Sequence, residues 1–170
     1  MSDRLPAGHD CGTYPATVAQ SPSVKKALFP TPQDAETAFY DALTKSDLEA
    51  MMAVWADDDD VYCVHPNGAR VTGVEQVRES WRQIFAGGQR LSFRLRESQY
   101  LQGMMLSVHS VYEHIAVAGE PRSRAPVIAT NIFLRTERGW RMIAHHASPA
   151  PAGAVSEPEP RRAAPPKTLH

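Results

Sequence analysis

Residues 46–85 read SDLEAMMAVWADDDDVYCVHPNGARVTGVEQVRESWRQIF, and the periods within this stretch decide the fold. Leu48, Met51, Met52 and Trp55 recur at i, i+3, i+4 and i+7, which predicts a helix with one buried stripe. Ser46, with Glu49 three residues on, has the form of a capping box at its start. Thr72 and Glu75 repeat that form. Val74, Val77, Trp81, Ile84 and Phe85 then make a second apolar stripe, with Gly87 and Gly88 able to end the helix. Between the helices, the run VYCVHP is too short and too β-branched for a helix. This extended segment delivers His65, kept extended by Pro66, to a point between two helices that each carry a tryptophan. An imidazole is thereby expected at the rim of an apolar cavity.

On the N-terminal side, Thr31 as N-cap, Pro32 at the first helical position and Asp34 in the first turn predict another helix. Ala35, Ala38, Phe39, Ala42 and Leu43 form its apolar face, and the short TKSD connection makes it the antiparallel partner of the next helix. On the C-terminal side the period becomes two. Leu91, Phe93 and Leu95 alternate with Ser92, Arg94 and Arg96, and the runs MMLSVHSVYEHIAVAG, VIATNIFLRT and WRMIAHHAS follow as strands of an antiparallel meander. Helices first and strands last give an α+β class, with a curved sheet wrapped on three helices and a cone-shaped cavity between them.

The 170 residues suit one domain with two tails. Residues 1–30 read as an irregular arm, residues 31–148 as the domain, and the Pro- and Ala-rich residues 149–170 as a flexible tail. A net charge of −1 with no basic stripe gives no electrostatic footprint for nucleic acid. Two cysteines, Cys11 and Cys63, make no disulfide framework, no run of apolar residues is long enough for a membrane span, and the N-terminus lacks a secretory pattern. These features lead to the expectation of a cytoplasmic protein. Asp57 to Asp60 lack EF-hand spacing and read as a solvated turn, no helical histidine pair is present, and no phosphate-cradling loop occurs. Neither a metal nor a cofactor is expected.

The segments DLEAMMAVWADDDDVYCVHPNG, TGVEQVRESWRQIF and GWRMIAHHASP, in that order, resemble the SnoaL-like branch of the NTF2-like superfamily. The resemblance covers about residues 31–149. It implies an α+β cone of three N-terminal helices on a strongly curved antiparallel sheet, with a pocket and frequent dimers. The superfamily holds isomerases, dehydratases, hydrolases and cyclases as well as non-catalytic binding and assembly domains, so fold alone names no activity. Matched to the ketosteroid isomerases, His65 stands where those enzymes carry a proton-shuttling aspartate, and Phe39 where they carry an oxyanion-hole tyrosine. Tyr40, Asn131 or another histidine would have to replace that donor. Tyr40, Asp41, Tyr62, His65 and His109 are also the residue types used by the scytalone dehydratases.

The candidates for chemistry are therefore His65, His146 and Asn131. A histidine titrates near neutrality and can move a proton, and an amide within an apolar strand needs buried partners. In a regular last strand His146 shares a face with Trp140 and Met142 while His145 takes the other, and the resemblance implies that the His146 face is the cone side. His109 and His114, an odd number of residues apart, face opposite ways. Tyr40, Trp55, Tyr62, Trp81, Phe85 and His109 are candidates to line the pocket. The resulting expectation is a small, largely apolar organic ligand with cofactor-free acid/base catalysis. The alternative is a ligand-binding or dimeric assembly domain without catalysis. Apolar residues on both faces of the long strands, Val111, Ile115, Ile132 and Leu134 among them, predict a homodimer through the outer sheet face.

Overall fold

The computed structural model describes residues 28–120 and 124–151. Most of the expected arm and tail lie outside the described residues. Helix α1 spans Pro32–Lys45, α2 Leu48–Val54 and α3 Val74–Ala86. The strands are β1 Tyr62–Val64, β2 Arg70–Thr72, β3 Leu91–Gln102, β4 Leu106–Val117, β5 Val127–Thr136 and β6 Gly139–Pro149. They form one six-stranded sheet in the order β2-β1-β6-β5-β4-β3. Every pairing is antiparallel except β1 with β6, which is parallel. The sheet is therefore mixed.

The caps explain where the helices begin. The hydroxyl of Thr31 accepts from the Asp34 amide, and the Asp34 carboxylate accepts from the Thr31 amide, both at 3.1 Å. Ser46, expected to cap α2, instead closes α1 in the left-handed region at φ 51°, and Asp47 takes over the N-cap by accepting from Ala50. Thr72 likewise does not cap α3. It is the last residue of β2, paired with Tyr62, and the turn falls to Gly73 at φ 89°.

Two bulges bend the sheet. One lies in β3 between Arg96 and Gln99, where Glu97 has φ 47°, and the other in β6 opposite Ile132 and Phe133. The helices lie on the concave face, where Phe39, Met51, Val77, Trp81, Phe133 and Met142 are buried. Each such side chain stabilises by about 1.5 to 3 kcal/mol. Ile84 does not join them. It turns outward, 37% exposed, while Phe85 beside it is half-buried and packs 5.9 Å from Trp81.

Candidate functional site

On β4, Ser107, His109, Val111, Glu113 and Ile115 alternate onto the concave face, and α1 crosses above them with Glu36, Phe39 and Tyr40 buried toward the sheet. One row across the concave face runs from Tyr100 through His109, Asn131 and His145 to Cys63, each paired with the next. This juxtaposition builds a buried polar network.

Asn131, fully buried, is its hub. Its amide nitrogen donates to Glu36 Oε1 and to the Tyr40 hydroxyl, both at 3.2 Å, and its oxygen accepts from His145 Nδ1 at 2.7 Å. The carboxylate of Glu36, an acceptor only, orients the amide, and the amide fixes the proton of His145 on Nδ1. Tyr40 in turn donates to Glu113 Oε1 at 2.7 Å. Glu36 also lies 3.1 Å from His109 Nδ1, a contact poorly aligned for a hydrogen bond, and His109 Nε2 is 3.0 Å from the Ser107 hydroxyl.

The network sits in apolar surroundings, and burial sets its electrostatics. It pushes Glu113 up to about 7, against the opposing pull of the Tyr40 hydrogen bond and with help from the charge of Glu36. The Tyr40 hydroxyl is raised well above its ordinary value by burial and by Glu113, and the Cys63 thiol is raised by the same two causes. His145 is held down at about 3, first by burial and then by His65 and His146. It is neutral at pH 7.

Toward one end of the concave face, Phe93, Leu95 and Ile115 from β3 and β4 and Phe85 from α3 are only half-buried. Leu95 pairs with Glu113 in the ladder, and Phe93 stacks 5.8 Å from Tyr40. Phe93 and Leu95 thus neighbour Tyr40 and Glu113 on this face. His65 lies at the Trp81 side, its ring edge-on to the indole at 4.5 Å and its Nε2 3.1 Å from the Ser80 hydroxyl. Since that hydroxyl donates to the Val77 carbonyl, His65 Nε2 carries the proton and donates to it. Burial lowers the His65 pKa.

Residues 33–153 match the family of SnoaL-like domains. The chain belongs to the SnoaL-like family. A solved structure from Thiobacillus denitrificans, provisionally named a calcium/calmodulin-dependent protein kinase type II association domain, is 38% identical. The match covers 73% of this chain and 98% of that one, with a TM-score of 0.67. A Streptomyces avermitilis protein, provisionally named an NTF2-like dehydratase, is 32% identical over 68% of this chain and 91% of its own, with a TM-score of 0.62. Among curated proteins, the Arabidopsis thaliana F-box protein SKIP8 is 26% identical over 114 residues, 66% of this chain. The SnoaL-like chain spans about half, 46%, of that relative's length.

Within this SnoaL-like domain the expected residues separate. Asn131, Tyr40 and His109 meet in the network, and His65, Trp81 and Phe85 stack in a row, ring against ring. His146 does not. Because the β6 bulge adds a residue between Met142 and Ala144, the alternation reverses, so His145 takes the concave face and His146 is exposed on the other. Tyr62 pairs with Ala144 on β1 and alternates away from the inward Cys63, so it too faces out. Trp55 lines a separate groove of about 480 Å³ with Met52, Val74, Leu134, Arg138 and Ile143. Glu36, Glu113 and His145 are network members absent from the candidates drawn from sequence. For Glu113 a signal existed: it lies two residues from Val111 and two from Ile115 on one strand. Among the described residues no cluster suits a metal ion, and no helix is long and apolar enough to cross a membrane.

Proposed function

We propose that this SnoaL-like domain binds a small, largely apolar organic molecule between the helices and the concave face of the sheet and moves a proton on it. The observation that carries this reading is the Tyr40–Glu113 pair: a carboxyl pushed up to about 7, hydrogen-bonded at 2.7 Å, on the concave face beside the half-buried apolar side chains of Phe93, Leu95 and Ile115. A carboxyl that titrates near neutrality can both take and return a proton, which is what acid/base catalysis at pH 7 requires. In this reading Glu113 carries the proton, Tyr40 and Asn131 position it, and His65 stands at the rim as a second proton-handling group. The 32% identical relative provisionally named a dehydratase is in keeping with such chemistry.

The reading is tested in D2O with a cyclic ketone such as 2-tetralone, following deuterium uptake beside the carbonyl by mass spectrometry. Glu113→Gln is expected to slow protein-dependent exchange by about 10² to 10⁴, the usual contribution of a positioned base. His65→Ala is expected to slow it less. Unchanged exchange in Glu113→Gln would remove Glu113 from the mechanism.

A second reading, self-association without catalysis, is favoured by the outer sheet face. Val108, Tyr112, Ile128 and Ile132 are half-buried there without helices over them, and Leu134 is exposed. The 38% identical relative provisionally named an association domain supports this reading too. Both uses fit one chain, since they occupy opposite faces of the sheet.

A further inference from the structure

Where β3 turns into β4, Leu101 is 75% exposed, Met104 84% and Leu106 46%. Large apolar side chains clustered in water mark an interaction surface. The turn is held in one shape, because the Gly103 amide donates to the Leu106 carbonyl and the Arg135 amide to the Met105 carbonyl, both at 2.8 Å. The second of these bonds ties it to β5. At this end of the sheet Leu106 pairs with Leu134 and Leu134 with Arg141, so the three share the outer face. Beyond Leu106 lies β3, with Leu101 opposite Val108, and beyond Arg141 lies Trp55, bridged to Met142. Leu134 is thus the midpoint. To one side of it stands the apolar tip, and to the other opens the groove of about 480 Å³ lined by Met52, Trp55, Val74 and Ile143, with Leu134 itself in the wall.

We infer that two copies of this chain pair about a two-fold axis running along β5 at Leu134, each seating its Met104 tip in the other's Trp55 groove. This rests on the reading of the outer face as a surface for self-association, and names the contact that makes it. A two-fold contact joins one patch to itself, so a protrusion on one side of the axis must meet a recess at the same distance on the other. Tip and groove both lie one to two strands from β5, about 5 to 10 Å at the ordinary spacing between strands. Residues 101–107 carry no charge, so the tip sets no like charge against the carboxylates and guanidiniums that also line the groove. The unbranched methionine chain adapts to such a recess. Tip, groove and the half-buried Val108 and Ile132 form one continuous surface, over which the contact can reach the about 800 Å² per copy that a stable pair takes.

The test uses two variants of the full chain in sedimentation equilibrium. Met104→Glu puts a charge on the tip, and Ala53→Arg fills the groove from α2. Wild type is expected to dimerise at micromolar concentration, and each variant to weaken the dimer by about tenfold or more, as loss of an interface anchor does. Mixed one to one, the variants are expected to associate more tightly than either does alone. A mixed pair keeps one intact tip in one intact groove, while its two defects fall on the same contact. Thermal melts establish that each variant is folded, and Glu75→Trp, from the exposed first turn of α3, blocks the same groove should Ala53→Arg melt early. A wild type that stays monomeric through the micromolar range would overturn the self-association reading and this inference together. A dimer indifferent to both variants, or weakened variants that do not recover on mixing, would overturn the inference alone and leave self-association standing.

Discussion

The Tyr40 hydroxyl stands 2.7 Å from Oε1 of Glu113, joining α1 to β4 across a sequence separation of 73. Burial lifts the Glu113 carboxyl from an ordinary 4.5 to about 7. Between those values the folded chain keeps a proton that the unfolded chain has released, so stability falls as pH rises through this window. Glu113→Gln has no such proton to lose. Between pH 5 and 8, the stability of wild type relative to this variant is expected to drop by about 2 to 3 kcal/mol, at about 1.4 kcal/mol per pKa unit. Urea denaturation of both proteins at the two pH values measures it, and a flat difference would contradict the placement of Glu113.

His145 has the opposite sign. Its folded value is depressed from 6.5 to about 3, so below 6.5 the unfolded chain takes up a proton that the folded chain refuses. Stability is complete above about 6.5 and is lost as pH falls toward 3. His145→Asn, which cannot be protonated, is expected to flatten this acid limb. Thermal melts from pH 7 to pH 4 check it, and the variant should lose fewer degrees than wild type across that range.

Gly139, the first residue of β6, has φ 83°, and a Cβ there would lie 2.6 Å from the Phe29 carbonyl oxygen. That oxygen accepts from the Trp140 amide at 2.9 Å, so it cannot withdraw without breaking the pairing. Gly139→Ala combines backbone strain with a clash, and is expected to destabilise by about 1 to 3 kcal/mol. The comparison is Gly119→Ala, where φ is 88° but no atom lies within 4 Å of the added carbon. The difference between their denaturation midpoints isolates the clash.

If two copies pair through the outer sheet face, Ile132, half-buried near its centre, lies within the contact. A stable contact of this kind buries about 1,200 Å² or more. Ile132→Lys is expected to turn a micromolar dimer into a monomer in sedimentation velocity runs without altering the fold by circular dichroism. A wild-type monomer at those concentrations would dispose of the pairing.

Local signals carried α1 and most of the concave core. Thr31, Pro32 and Asp34 act within one turn of backbone, and Val77 with Trp81 recurs on one helical face, so neighbours in sequence determine their positions. The start of α3 was misread because Thr72 answers to Tyr62 across a strand pair, a partner that a capping pattern does not reveal. The two adjacent histidines show the same limit. Alternation places His146 inward only in a regular strand, and the extra residue in β6 depends on how β5 packs beside it. Glu113 was legible by its period; the energetic weight of a carboxyl there depends on Tyr40, which no spacing connects to it.

The parallel pairing of β1 with β6 bears on how the chain is made. Tyr62, Cys63 and Val64 wait for Ala144, His145 and His146, near the far end of the described chain, and β1 has only the short β2 on its other side. A nascent chain that has emerged as far as β5 therefore holds its helices without the strand that separates β1 from the rest of the sheet. The surfaces of Met142 and Trp55, bridged in the finished molecule, are then still apart. Synthesis can begin the fold from the N-terminus but cannot close it, so a ribosome-stalled chain ending before Gly139 should remain chaperone-bound and protease-sensitive.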